Sequence, residues 1–111
     1  MKLLDIYYSQ KNYKEFIPLC EEYLSFNPMD SDYFFKISYA YKFEGNLSLA
    51  IDYGECLKLR DPMNINNLLN LSDLNRKSGN LMRANKLLSD VLYLDPGNLK
   101  AQELQRMLEE K

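Results

Sequence analysis

The stretch "DPGN", residues 95–98, reads as a turn between helices: proline stops one helix, glycine allows the bend, and asparagine can begin the next. Upstream, "DPMN" stands at 61–64 and "NPMD" at 27–30. Pro28, Pro62 and Pro96 are spaced 34 residues apart. Gly45 and Gly79 keep the same step, as do Asn12, Asn46 and Asn80, and Asp30, Asn64 and Asn98. Ser38 pairs with Ser72, Leu47 with Leu81 and Ala50 with Ala84. So many coincidences on one spacing identify an array of structural repeats, each burying its apolar face against its neighbours.

Two punctuation points per repeat imply two elements. Asp30 and Asn64 suit helix N-caps, and Phe34, Ile37 and Tyr41 then recur on one helical stripe. Gly45 supplies a left-handed stop and Asn46 can cap a second helix carrying Leu47, Ala50, Ile51, Gly54 and Leu57. The next repeat offers Leu68, Leu71 and Leu74, a turn at Gly79 and Asn80, and then Leu81, Ala84, Leu88, Val91 and Leu92. Each unit is therefore a helical hairpin, and the proline turns join hairpins. Seven helices are predicted, with turns near 10–12, 28–30, 44–46, 62–64, 78–80 and 96–98.

This pattern resembles the tetratricopeptide repeat (TPR) family, whose 34-residue motif runs W-x2-L-G-x2-Y, A-x3-F, P. Phe34, Ile37, Ser38 and Tyr41 stand at its first four positions in one unit, followed by Ala50, Gly54 and Pro62. Leu68, Leu71, Ser72 and Asn75, then Ala84, Leu88 and Pro96, take them in the next. Small residues belong where the two helices of a hairpin cross, which accounts for Ser38 with Ala50 and Ser72 with Ala84. The related pentatricopeptide family, which reads RNA, has 35-residue units; the period of 34 and the acidic balance disfavour it. The resemblance implies an all-α fold, a right-handed superhelix of stacked helical hairpins over residues 1–111. It comprises an incomplete first repeat (1–30), a second (31–64), a third (65–98) and a capping helix (99–111).

Some positions depart from the motif. Asn75 replaces tyrosine, which predicts loose packing there. The first repeat begins at its fifth position, and Leu4 and Phe16 occupy its crossing point, so its hairpin is expected to splay and leave Leu3, Leu4 and Phe16 poorly covered. Pro18 falls inside its second helix and removes one backbone bond, predicting a mild kink. In "LKAQELQRMLEEK", Ala101, Leu104 and Leu108 form one apolar edge, while Gln102, Gln105, Arg106, Glu109 and Glu110 should face water.

Composition narrows function further. Fourteen basic and sixteen acidic residues give a net charge of −2, unlike a surface for nucleic acid or anionic membrane. No apolar run reaches the ~20 residues of a membrane span, and the N-terminus lacks the features of a secretory signal. Two cysteines, Cys20 and Cys56, do not make a disulfide framework; both read as reduced, buried or half-buried thiols of a cytoplasmic protein. Histidine is absent, the four glycines form no phosphate loop, and no metal-ligand spacing is found, so neither a cofactor nor an enzyme is expected.

What the resemblance implies about binding is a concave groove lined by the first helix of each hairpin. The matching positions are Asp32, Phe35, Tyr39, Lys42 and Phe43 in the second repeat. In the third they are Asn66, Leu69, Asp73, Arg76 and Lys77; the truncated first adds Met1, Asp5, Tyr8 and Ser9. Phe35, Tyr39 and Phe43 stand at i, i+4 and i+8, off the hairpin's own stripe, so one helix carries two apolar faces. The second face packs on a neighbouring hairpin, fills the groove left by the short first helix, or meets a partner. The candidate partner-binding residues are Tyr8, Phe35, Tyr39, Lys42, Phe43, Leu69, Asp73, Arg76 and Lys77, the aromatics as anchors and Lys42, Arg76 and Lys77 as rim charges.

Some TPR domains clamp the carboxylate tail of heat-shock chaperones with lysine, asparagine and arginine. The corresponding places here hold Met1, Asp5, Lys36, Asn66 and Asn70, or, shifted by one repeat, Phe35, Tyr39, Asn70, Lys100 and Leu104, and neither set is the clamp. The expectation is a non-catalytic module that binds a peptide or an amphipathic helix. The alternatives are a positioning segment of a larger protein, attached for instance to a catalytic domain, and a small chaperone-type protein that self-associates through its first repeat.

Overall fold

The structure, a computed structural model, describes residues 2–109. Met1, Glu110 and Lys111 lie outside them, and with them the expected groove position of Met1 and the water-facing position of Glu110. Seven helices follow in order: α1 Lys2–Ser9, α2 Tyr13–Phe26, α3 Ser31–Phe43, α4 Leu47–Arg60, α5 Ile65–Lys77, α6 Leu81–Leu94 and α7 Leu99–Glu109. No strand occurs among the described residues, and every break falls in a predicted turn. Pro18 sits within the continuous α2.

The same backbone devices recur in each repeat. Lys11, Gly45 and Gly79 adopt positive φ of 59°, 84° and 91°. Their N–H groups bond back three residues, to the carbonyls of Tyr8, Lys42 and Arg76. The following Asn12, Asn46 and Asn80 bond back five, to Tyr7, Tyr41 and Asn75. This is the Schellman closure of a helix C-terminus. At the proline turns the N–H of Asp30, Asn64 and Asn98 donates to the carbonyl of Asn27, Asp61 and Asp95 respectively. The Asp30, Asn64 and Asn98 side chains then accept from the first turn of α3, α5 and α7. Gly97 departs from the sequence reading: it is not at positive φ, and Met29 and Met63 occupy the same place in the other two turns, so "DPGN" bends without needing glycine.

The chain divides into two compact units, Met1–Tyr53 and Gly54–Lys111. In the first, Leu4, Tyr13, Phe16, Ile17, Cys20, Leu24, Tyr33, Ile37 and Ala40 form the core. Leu4 and Phe16 are both 0% exposed, which corrects the expectation that they are poorly covered, whereas Leu3 is exposed as expected. Their bulk fills the core with the Tyr8 ring against Phe16; the exposed apolar residues of α1 are Leu3 and Ile6, each 46% exposed. On α3 the most buried residues are Tyr33, Ile37, Ser38 and Ala40, while Phe34 and Tyr41 are half-buried. Ser38 does more at its crossing than stay small: its hydroxyl donates to the Ala50 carbonyl at 2.7 Å.

In the second unit, Leu57, Leu68, Leu71, Leu74, Ala84, Leu87, Leu88 and Val91 are buried, and α7 adds Ala101, Leu104 and Leu108 against α5 and α6. The Ser72 hydroxyl repeats the crossing bond, to the Ala84 carbonyl at 2.9 Å. Gly54 is buried where a Cβ would lie 2.6 Å from Leu71 Cδ2, and its carbonyl accepts from Asn67 Nδ2 at 3.0 Å. Asn75, expected to pack loosely, is buried, and its amide donates to the Leu71 carbonyl at 2.8 Å. Arg83 bridges both Glu55 oxygens.

Candidate peptide-binding surface

In the first unit, α3 presents Phe35, Tyr39 and Phe43 along one edge because they are one helical turn apart. The Phe35 and Tyr39 rings lie 5.9 Å apart and near parallel, and Tyr39 meets Phe43 at 4.9 Å. The run continues where the sequence did not point: Phe43 stacks on Tyr13 of α2 at 5.5 Å, and Tyr13 meets Tyr8 of α1 at 6.0 Å. Tyr13 is buried, Phe35, Tyr39 and Tyr8 are half-buried, and Phe43 is 57% exposed. The end of the second apolar face is thus anchored on the neighbouring hairpin through Tyr13, and Phe43 still meets solvent. Tyr13 could have been found from its place beside the first turn, but its stacking partner is 30 residues away.

Charge borders this row. Lys42 Nζ lies 4.4 Å from the Tyr39 ring centre and 5.9 Å from that of Phe43, cation–π distances. Lys36, which the sequence reading named at a clamp position but not among the candidate contacts, sits 5.4 Å from the Tyr8 ring and 5.0 Å from that of Tyr33. Its ammonium also pairs with Asp32 at 3.0 Å and reaches Asp5 at 3.9 Å. The Tyr33 hydroxyl donates to Asp5 and so holds that carboxyl below its ordinary value. Burial pushes the Tyr8 and Tyr13 hydroxyls above theirs. A hollow lined by Leu19, Glu22, Tyr23, Phe26 and Asn27 shares none of these residues.

In the second unit, Leu69, Asp73, Arg76 and Lys77 lie on α5. Arg76 is already bound to Asp73 at 2.7 Å, so its charge is partly neutralised within the helix. Leu69 is half-buried and Lys77 exposed. Asn67 and Asn70 are buried on the same helix; the sequence reading named Asn70 only at a clamp position and did not single out Asn67. Cys20 is buried, its thiol pushed up to about 12 by burial, whereas Cys56 is exposed, against the expectation of a covered thiol. Among the described residues no group of three or more Cys, Asp or Glu could hold a metal ion, and no helix is long and apolar enough to cross a membrane.

These hairpins define an αα-repeat fold, and solved structures identify it as that of TPR domains. The first TPR of Spaghetti (RPAP3), bound to the HSP90 peptide SRMEEVD, is similar over 98% of this chain and 86% of its own, with a TM-score of 0.92 and 17% identity. The Arabidopsis OM64 TPR domain is similar over 96% of this chain and 88% of its own, with a TM-score of 0.89 and 17% identity. The Yersinia enterocolitica type III secretion chaperone SycD, in complex with a peptide of the translocator YopD, is similar over 98% and 83%, with a TM-score of 0.82 and 16% identity. No protein-family model and no curated protein matches the chain.

Proposed function

We propose that the chain is a non-catalytic protein-interaction module. It takes an extended peptide or an amphipathic helix with apolar anchors on the aromatic row of its first unit. The observation that carries this reading is the row itself: Phe35, Tyr39 and Phe43 keep solvent-facing ring surface although a separate set, Tyr33, Ile37 and Ala40, fills the core. Partly exposed aromatics beside cations are typical of binding surfaces. Lys42 gives the row a cationic edge, and Tyr8 extends its floor. Leu69, Asp73, Arg76 and Lys77 on α5 are the corresponding contacts of the second unit. Two neighbours of the same fold hold peptides, one from HSP90 and one from YopD, which supports a peptide partner in general. The acidic HSP90 tail does not fit here, because Met1, Asn66 and Asn70 stand in place of the clamp cations and Asp5 in place of a clamp asparagine.

The test is capture of partners from native lysate, followed by titration of the captured partner against wild type and Tyr39→Ala. Truncating a buried aromatic anchor typically costs 2 kcal/mol or more, about thirtyfold in affinity. Tyr39 is not part of the core cluster, so the variant should keep its helicity and lose binding. Equal affinity for two folded proteins would place the site elsewhere. Unfolding of Tyr39→Ala would show the row to be core.

A further inference from the structure

The first of the three Schellman turns is built differently from the other two. Gly45 and Gly79 hold the left-handed position in the later turns, but Lys11 holds it in the first, at φ 59°. A side chain there is strained, because its Cβ crowds the following carbonyl. The asparagine that follows is also less committed. Asn46 and Asn80 accept from Leu49 and Arg83 and so cap α4 and α6, while Asn12 makes no side-chain cap bond to α2. Yet Gln10 and Lys11 are good helix formers. If Lys11 relaxes to a right-handed conformation and Asn12, now at φ −88° and ψ 72°, turns to helical ψ with it, α1 and α2 run on as one helix over 2–26. Neither of the later hairpins can do this as cheaply, since glycine weakens a helix interior.

What α1 would leave behind is a specific seat. Leu4 is fully buried, Tyr8 packs on Phe16 and Tyr13, and Asp5 binds the Tyr33 hydroxyl and Lys36. All these partners belong to α2 and α3 of the same unit. A helix matched in shape and charge to that seat exists: α1 of a second copy. Short hinges under strain favour such exchange, because every native contact is remade between chains while the hinge strain is released. We infer that the chain forms an exchanged dimer in which each copy's α1, Lys2–Ser9, occupies the seat on the other's α2 and α3. This inference does not rest on the peptide-binding reading.

The test refolds the full chain from urea at high concentration and measures mass by light scattering after chromatography. Wild type is expected to yield a dimer that persists on dilution in the cold, since separation requires both α1 helices to leave their seats. Lys11→Gly should weaken the dimer by at least about a hundredfold: glycine relieves the closed turn and disfavours the continuous helix, at both hinges. Lys11→Ala, which keeps the Cβ, should still dimerise. The inference is overturned by a wild type that stays monomeric, by a dimer that re-equilibrates at once on dilution, by a Lys11→Gly dimer as tight as wild type, or by equal loss in the glycine and alanine variants.

Discussion

Replacing Gly79 by valine should destabilise the protein without touching its core. Gly79 closes α5 at φ 91°, and no atom lies within 4 Å of where a Cβ would sit, so the cost is conformational rather than steric. A non-glycine residue in the left-handed region costs about 1–2 kcal/mol, and β-branching puts valine at the upper end. The stiffer unfolded chain of the variant returns roughly half a kcal/mol, leaving a net loss of about 1–1.5 kcal/mol. At roughly 2.1 cal/mol/K of unfolding entropy per residue, a chain of 111 residues would melt about 4–6 °C lower. Helix signal followed against temperature and urea measures this. Gly97→Ala is the control: Gly97 also has open space around it but no positive φ, so that variant should match wild type or gain slightly. A Gly79→Val protein melting within a degree of wild type, or an equal loss in Gly97→Ala, would refute the assignment of strain to φ.

Ser72→Ala removes the buried hydroxyl bond to the Ala84 carbonyl and should cost about 1 kcal/mol in urea titration; no loss would mean the serine is there only for its size. Gly54→Ala places a methyl against Leu71, and Leu71→Ala clears the space, so the double variant should lose at least 0.5 kcal/mol less than the sum of the singles; strict additivity would contradict the close approach. At pH 8 one thiol per folded chain, Cys56, should react quickly with a disulfide reagent, while Cys20 waits for unfolding; two fast thiols would show that Cys20 is accessible. The hydroxyl of Tyr33 keeps Asp5 below its ordinary 3.8, so this contact stabilises the fold above about pH 4 and fades as pH falls through the depressed folded value. Tyr33→Phe should move the Asp5 titration upward by NMR, and an unmoved titration would refute that cause.

Much of the fold was legible because it rests on punctuation. The left-handed glycines, the proline turns and the capping side chains are local devices, each readable over four or five residues, and repetition at one spacing confirmed them. The first hairpin was misread where size was taken as the deciding quantity. Leu4 and Phe16 are larger than the residues the motif places at the crossing, yet the core of the first unit buries both completely. The candidate surface was only half legible for a related reason. Phe35, Tyr39 and Phe43 share one helix and one period, whereas Tyr13 and Lys36 join them through contacts between helices, which no spacing records. The hydrogen-bonding role of Ser38 and Ser72 was likewise hidden, since a small residue and a donor look the same in the sequence.

The tyrosines have an optical consequence. Of nine, eight lie in residues 1–53 and only Tyr93 in the second unit; tryptophan is absent. Four of the eight give their hydroxyl to a carboxylate: Tyr23 to Asp30, Tyr33 to Asp5, and Tyr41 and Tyr53 together to Glu21. An excited phenol held on a carboxylate passes its proton across and goes dark. Unfolding of the first unit should therefore brighten the protein near 305 nm, roughly the ordinary tyrosine emission, while the second unit, with its one exposed ring, melts almost unseen at that wavelength. Circular dichroism sees helices in both. Recorded together on one sample, the two signals separate the melting of the two halves of the chain without a label.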